Sequence, residues 1–119
     1  MNTTTLHFRV IDRDTFEALR TGHKKIETRA ASPKYSTVQA GDTIIFTCGK
    51  KRFNRRVKKI IAVRSIRALL KHYSVPEINP FLTTEAELRS KYKSFPHYEK
   101  KIKKYGLLAI ELKKRNMID

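Results

Sequence analysis

The sequence predicts a small α+β domain in which a mostly antiparallel sheet curls into a small β-barrel with helices at its flanks. Three observations predict it. Several short runs alternate apolar with polar residues, other runs open with a helix-capping signature, and 119 residues suffice for one compact domain with one modest core, not two. The domain is expected to span residues 1–119, with a basic tail from about residue 114.

Each element has a local cause. Leu6, Phe8 and Val10 alternate with His7 and Arg9 as a half-buried first strand. Asp14 followed three residues later by Glu17 is a capping signature, and Phe16 and Leu19 share one face. A short helix therefore runs to about Thr21 and stops at Gly22. Lys24 to Arg29 is a second extended stretch, followed by a loop around Ser32 and Pro33. Gly41 and Asp42 mark a turn, and Thr43 to Thr47 reads as a strand. Gly49, Lys50 and Lys51 connect it as a hairpin to the longest extended segment, about Arg52 to Arg64. There the odd positions Phe53, Val57, Ile61 and Val63 are apolar, interrupted by Arg55 and Lys59, while the even positions include Asn54, Arg56, Lys58 and Arg64. One side packs and the other is basic. Ser65 caps a helix carrying Ile66, Leu69 and Leu70, which Pro76 and Pro80 end. Thr84 and Glu87 form a capping box for a helix through Leu88 and Tyr92. After a Lys-rich connection, Leu108, Ile110 and Leu112 alternate as a closing strand.

Composition narrows the function. Twenty-seven Lys and Arg against eleven Asp and Glu leave +16, which disfavours self-association, so a monomer is expected, and calls for a polyanionic partner. Nucleic acid is the first candidate, RNA before DNA, and an anionic membrane surface the second. Against the membrane, no apolar run reaches the roughly 18 residues of a span, no signal-peptide core is present, and the C-terminal helices lack a broad apolar face. The single Cys48 fits a reducing cytoplasm and reads as a buried small hydrophobe. No metal or cofactor is expected: His7, His23, His72 and His97 are scattered, no CxxC exists, and phosphate-loop, dinucleotide and serine-hydrolase motifs are missing.

Lys50 to Arg67 holds nine cations and no acid, among them Arg52, Arg55, Arg56, Lys58 and Arg64. Arg89 to Lys104 adds seven, among them Lys91 and Lys93, against Glu99 alone. Tyr92, Phe95, Tyr98 and Tyr105 lie in or beside the second run, and Phe53 lies in the first. Cations interleaved with rings suit phosphate contacts plus base stacking. The competing reading puts the rings in the core and some lysines on a merely solvated face.

Gly22, Lys24, Glu27 and Arg29 match G-x-K-x-x-E-x-R, and Val38, Gly41, Asp42, Ile44 and Phe46 match V-x-x-G-D-x-I-x-F. Together, in this order and spacing, they resemble the ASCH domain family of the PUA-like superfamily over nearly the whole chain. The resemblance implies a PUA-like barrel with a cleft between barrel and helices, lined by the motif's charged residues. It implies an RNA-binding or RNA-processing module, often linked to translation. One bacterial branch of the family contains amidohydrolases that deacetylate N4-acetylcytidine with a Lys, a Thr and a Glu. The Lys falls on Lys24 and the Thr on Glu27, which cannot serve as an alkoxide nucleophile; for the Glu, Glu77 is the nearest candidate.

The residues leave several roles open. In an ideal strand Glu27 and Arg29 share a face with Lys25, and Lys24 joins them only from the turn after Gly22. A carboxylate between cations stays ionised and can accept from a base amino group or a ribose hydroxyl, while the cations hold phosphate or a carbonyl. The same Lys24 and Glu27 could do acid/base work in an amidohydrolase or a ribonuclease. A salt bridge locking strand to helix is the third possibility. The expected ligand surface is therefore Lys24, Lys25, Glu27, Arg29, Arg52, Arg55, Arg56, Lys58, Arg64, Lys91, Tyr92 and Lys93, holding single-stranded or structured RNA.

Overall fold

A computed structural model describes residues 2–114. Five strands, β1 (Thr3–Phe8), β2 (Ile26–Ala30), β3 (Thr43–Cys48), β4 (Lys51–Val63) and β5 (Leu107–Leu112), form one curled sheet in the order β1-β3-β4-β5-β2. The β1–β3 pair is parallel and the other three are antiparallel. That order leaves β1 and β2 as the two ends of the sheet. The basic tail expected from about residue 114 lies, from 115 onward, outside the described residues.

Register decides which side chains go inside. Leu6 pairs with Phe46 and Phe46 with Phe53, so these point into the curl with Ile44, Cys48 and Val57. Helix α1 (Arg13–Thr21) closes this core with Phe16 and Leu19, both almost fully buried; each contributes about 1.5–3 kcal/mol by leaving water. The motif residue Asp42 sets the entry to β3. Its carboxylate accepts from the backbone N–H of Asn2 (3.1 Å) and Gln39 (2.9 Å), and these bonds hold its pKa below the usual carboxylate value.

Arg55, which interrupts the apolar side of β4, faces inward by register opposite Ile44. Its guanidinium lies over Phe53 (4.9 Å) and donates to the Arg20 carbonyl at the C-terminal end of α1 (2.6 Å), where the helix dipole favours a cation. A bulge between Val57 and Lys59 shifts the register of β4 against β5. Beyond it Ile60 serves the inner core while Ile61 and Val63 pack on the opposite face.

That opposite face is covered by four helices: α2 (Ile66–Leu69), α3 (Val75–Ile78), α4 (Glu85–Lys93) and α5 (Tyr98–Tyr105). Leu69, Ile78, Leu88 and Ile102 pack with Ile26, Leu107 and Ala109 as a second core. The closing strand is thus covered on both sides, which is why Ala109 is buried along with Leu108 and Ile110. The caps at Ser65 and Thr84 form as expected. Three expectations change. The first helix starts at Arg13, and Asp12 precedes it without a side-chain cap. Pro76 opens α3 instead of ending its predecessor, since a proline in the first turn forfeits no intrahelical bond. The Lys-rich connection is helix α5, with Ile102 inward and Lys100, Lys101, Lys103 and Lys104 exposed.

Candidate functional site

A cleft of about 280 Å³ opens along the free edge of β2. The turn from the end of β1 supplies Phe8, Arg9 and Asp12; α3 supplies Ile78 and the following Asn79; α4 and the loop after it supply Lys91, Tyr92 and Phe95; α5 supplies Tyr98 and Lys101. Lys24, Glu27, Thr28 and Arg29 form the β2 side.

Local structure explains how these residues meet. Gly22 ends α1 in the left-handed conformation (φ 85°), and the Lys24 N–H bonds back to the Ala18 carbonyl (2.9 Å). Lys24 therefore lies before β2, not in it, and its side chain turns to Glu27. Its ammonium donates to the carbonyls of Ile26 and Ile78 and stands 3.5 Å from Glu27 Oε1. Burial pushes the Lys24 pKa down, with Glu27 opposing the shift. Glu27 Oε1 also accepts the Thr28 N–H (3.1 Å), and Oε2 accepts from Arg29 Nε and Nη2 (3.1 Å each). Arg29 lies over the Phe8 ring at 4.9 Å. Burial works against its charge, but Glu27 with Tyr98 and Tyr35 outweighs it and raises its pKa.

Tyr98 completes the pattern. Its hydroxyl accepts the Ala30 N–H (3.1 Å) and donates to the Thr28 carbonyl (3.4 Å). An edge strand exposes N–H and C=O groups that invite unwanted pairing. Here Lys24, Glu27 and Tyr98 satisfy that edge at Ile26, Thr28 and Ala30, so the K-x-x-E-x-R motif has a structural task whatever else it does. Thr28 and Tyr92 join their hydroxyls, and burial raises the pKa of Tyr92 and Tyr98. Tyr92 and Tyr98 stack at 5.7 Å and Phe95 meets Tyr98 edge-on at 5.2 Å. At the mouth Asp12 pairs with Arg9 (2.8 Å) and Lys91 (3.8 Å), and both cations approach the Phe95 ring.

Of the residues singled out in the sequence, Lys24, Glu27, Arg29, Lys91 and Tyr92 meet in this cleft. Lys25 does not; it is exposed beside a second pocket with His23, Tyr73, Glu77 and Glu111. There Glu111 accepts from the Tyr73 hydroxyl (3.1 Å), and burial with that bond pushes the Tyr73 pKa up to about 12. Glu77 caps α3 through the Ser74 N–H (2.9 Å) and does not line the cleft. Arg52 and Arg56 project with Asn54 from the outer face of β4, Lys58 sits at the bulge 3.7 Å from Glu111, and Arg64 and Lys93 are exposed outside the cleft. Phe8, Arg9, Asp12 and Asn79 were not indicated by sequence reasoning. Phe8 carried an inward-facing signal, but nothing local tied the others to β2.

No family model matches the chain, and no curated protein matches it. Among solved structures, the hypothetical Pyrococcus protein PH0355 is similar at a TM-score of 0.80 and 29% identity, over 95% of this chain and 98% of that one. Protein PF0455 from Pyrococcus furiosus is similar at a TM-score of 0.71, over 93% of this chain and 96% of that one, with 30% identity. An identity of that size over nearly the full length of both chains, on the same curled sheet, means that this chain belongs to the same family as PF0455.

Proposed function

We propose that the chain is an RNA-binding module of the ASCH, PUA-like type, acting in the cytoplasm. It holds RNA on basic surface and takes one unstacked base into the β2 cleft. The observation that carries this reading is the composition of the cleft: aromatic rings of Phe8, Tyr92, Phe95 and Tyr98 beside Arg9, Arg29, Lys91 and Lys101. Rings that accept a base and cations that accept its phosphates are what single-strand recognition uses. Its volume is at the low end for small-molecule sites, room for one base and little more. The net +16 supplies affinity through counterion release.

A catalytic reading draws less support. Lys24 has its three donors occupied, and Glu27 stands where the amidohydrolase branch needs a hydroxyl. Labelled single-stranded RNA, structured RNA and duplex DNA, titrated at several salt concentrations with the recovered RNA run on a gel, test the proposal. Salt-dependent binding that prefers RNA and leaves it intact is expected. Shortened RNA that stays intact with Lys24→Ala protein would replace the proposal by a nuclease, and equal weak binding to every polyanion would end it.

A further inference from the structure

We propose that the cleft selects, by Arg29 and Asn79, a base edge that offers two adjacent hydrogen-bond acceptors, and rejects one that offers an amino group beside a single acceptor. This rests on the RNA-binding reading and names what the cleft reads.

The polar atoms at the cleft floor divide into groups already bonded within the protein and groups still open to a ligand. A carboxylate has about four acceptor positions; Glu27 accepts hydrogen bonds from Thr28 N and Arg29 Nε and is ion-paired with Lys24 Nζ and Arg29 Nη2. The Lys24 ammonium has three donors and three partners. The Ile26, Ile78 and Thr28 carbonyls each already accept one hydrogen bond, and the Thr28 and Tyr92 hydroxyls close on each other. Asn79 is 8% exposed; its Oδ1 accepts the Phe81 N–H at 2.9 Å, which fixes the amide orientation. Its Nδ2 has no partner among the described residues. Arg29, its side chain 18% exposed, likewise keeps both Nη1 hydrogens and one on Nη2. The unused N–H groups at the floor are therefore donors on Arg29 and Asn79, while the floor carboxylate of Glu27 already faces donors from three residues and the cleft's other carboxylate, Asp12, is paired with Arg9 and Lys91 at the mouth.

A guanidinium fork matches two neighbouring acceptors, such as O6 and N7 of guanine. Cytosine presents such a pair at O2 and N3. Adenine offers no such pair: its amino group stands beside N1 on one edge and N7 on the other, where one donor would face another, and N3 is a lone acceptor. The aromatic walls favour a flat base over a bare phosphate, and an abasic site separates those two sources.

The test uses short labelled oligouridylates with one central guanine, cytosine, adenine or abasic site, read by anisotropy. Guanine or cytosine is expected to bind about tenfold or more tighter than adenine or the abasic site. Asn79→Asp keeps the acceptor for Phe81 and turns the donor into an acceptor, so the preference should shrink or reverse while salt-dependent binding persists. Arg29→Lys, which keeps the charge without the fork, should also flatten it; a melting curve checks that each variant folds. Equal binding of adenine, or an unchanged preference in both folded variants, overturns the inference alone. No binding of any oligonucleotide overturns it together with the RNA-binding reading.

Discussion

At Glu27, donors from three residues converge on two carboxylate oxygens, and the side chain is only 6% exposed. Removing its charge strands Lys24 in a site from which water is excluded. Glu27→Gln is expected to destabilise the fold by about 3–5 kcal/mol, the range for breaking a buried pair. Urea unfolding measures it, and a loss below about 1 kcal/mol, as for an exposed pair, would mean the pair is not stabilising the β2 edge. The sequence spacing was enough to bring Lys24, Glu27 and Arg29 together, because Gly22 permits the turn that returns Lys24 to its neighbours. It was not enough to tell a free carboxylate from a filled one. That depends on the Thr28 N–H being an edge group and on Tyr98, which donates to the Thr28 carbonyl from α5. In the proposed base-binding reading, the selectivity that a free Glu27 would have given a base amino group passes to Arg29 and Asn79.

Among the elements, two glycines separate backbone strain from collision. Both have positive φ, 85° at Gly22 and 81° at Gly106, but a Cβ on Gly22 meets nothing within 4 Å while one on Gly106 would stand 2.5 Å from the Val63 carbonyl. Gly22→Ala should cost about 1–2 kcal/mol. Gly106→Ala should cost clearly more, because β5 cannot pair with β4 without that approach; equal melting temperatures would contradict this. Asp42 gives a pH prediction. Its folded pKa is lowered by the Gln39 and Asn2 N–H groups, so the folded state binds its proton less readily than the unfolded chain. That contribution is present above the ordinary value of 3.8 and is lost as pH falls through the lowered one. Asp42→Asn should therefore melt lower at neutral pH and lose less stability on acidification than the parent, which parallel melts across the acid range would reveal. The strands and the capped helices were legible because their alternation and caps are local. Helix α5 was hidden because its inward stripe rests on Ile102, with Tyr98 half-buried, among four exposed lysines. The parity break in β4 was hidden because the bulge between Val57 and Lys59 is visible only in its register against β5, a strand more than forty residues away in sequence.

Across the whole molecule, two sets of basic residues bear on the proposed RNA surface. Arg52 and Arg56 project from the outer face of β4, with Lys58 at its bulge, while Arg9, Arg29, Lys91 and Lys101 border the cleft. Arg56→Glu with Lys58→Glu should weaken RNA binding and flatten its salt dependence by about 0.7 in log–log slope for each phosphate no longer neutralised; unchanged affinity would remove β4 from the RNA-facing surface. The cleft should behave differently, since stacking is insensitive to salt. No helix among the described residues is long and apolar enough to cross a membrane. The most direct test of the account is the affinity of single-stranded RNA for wild-type and Phe95→Ala protein over a series of salt concentrations. Loss of one stacking wall should lower affinity by about 1–3 kcal/mol at every salt concentration and leave the slope unchanged. Identical curves for the two proteins would mean that no base enters the cleft, and that charge alone had been binding the RNA.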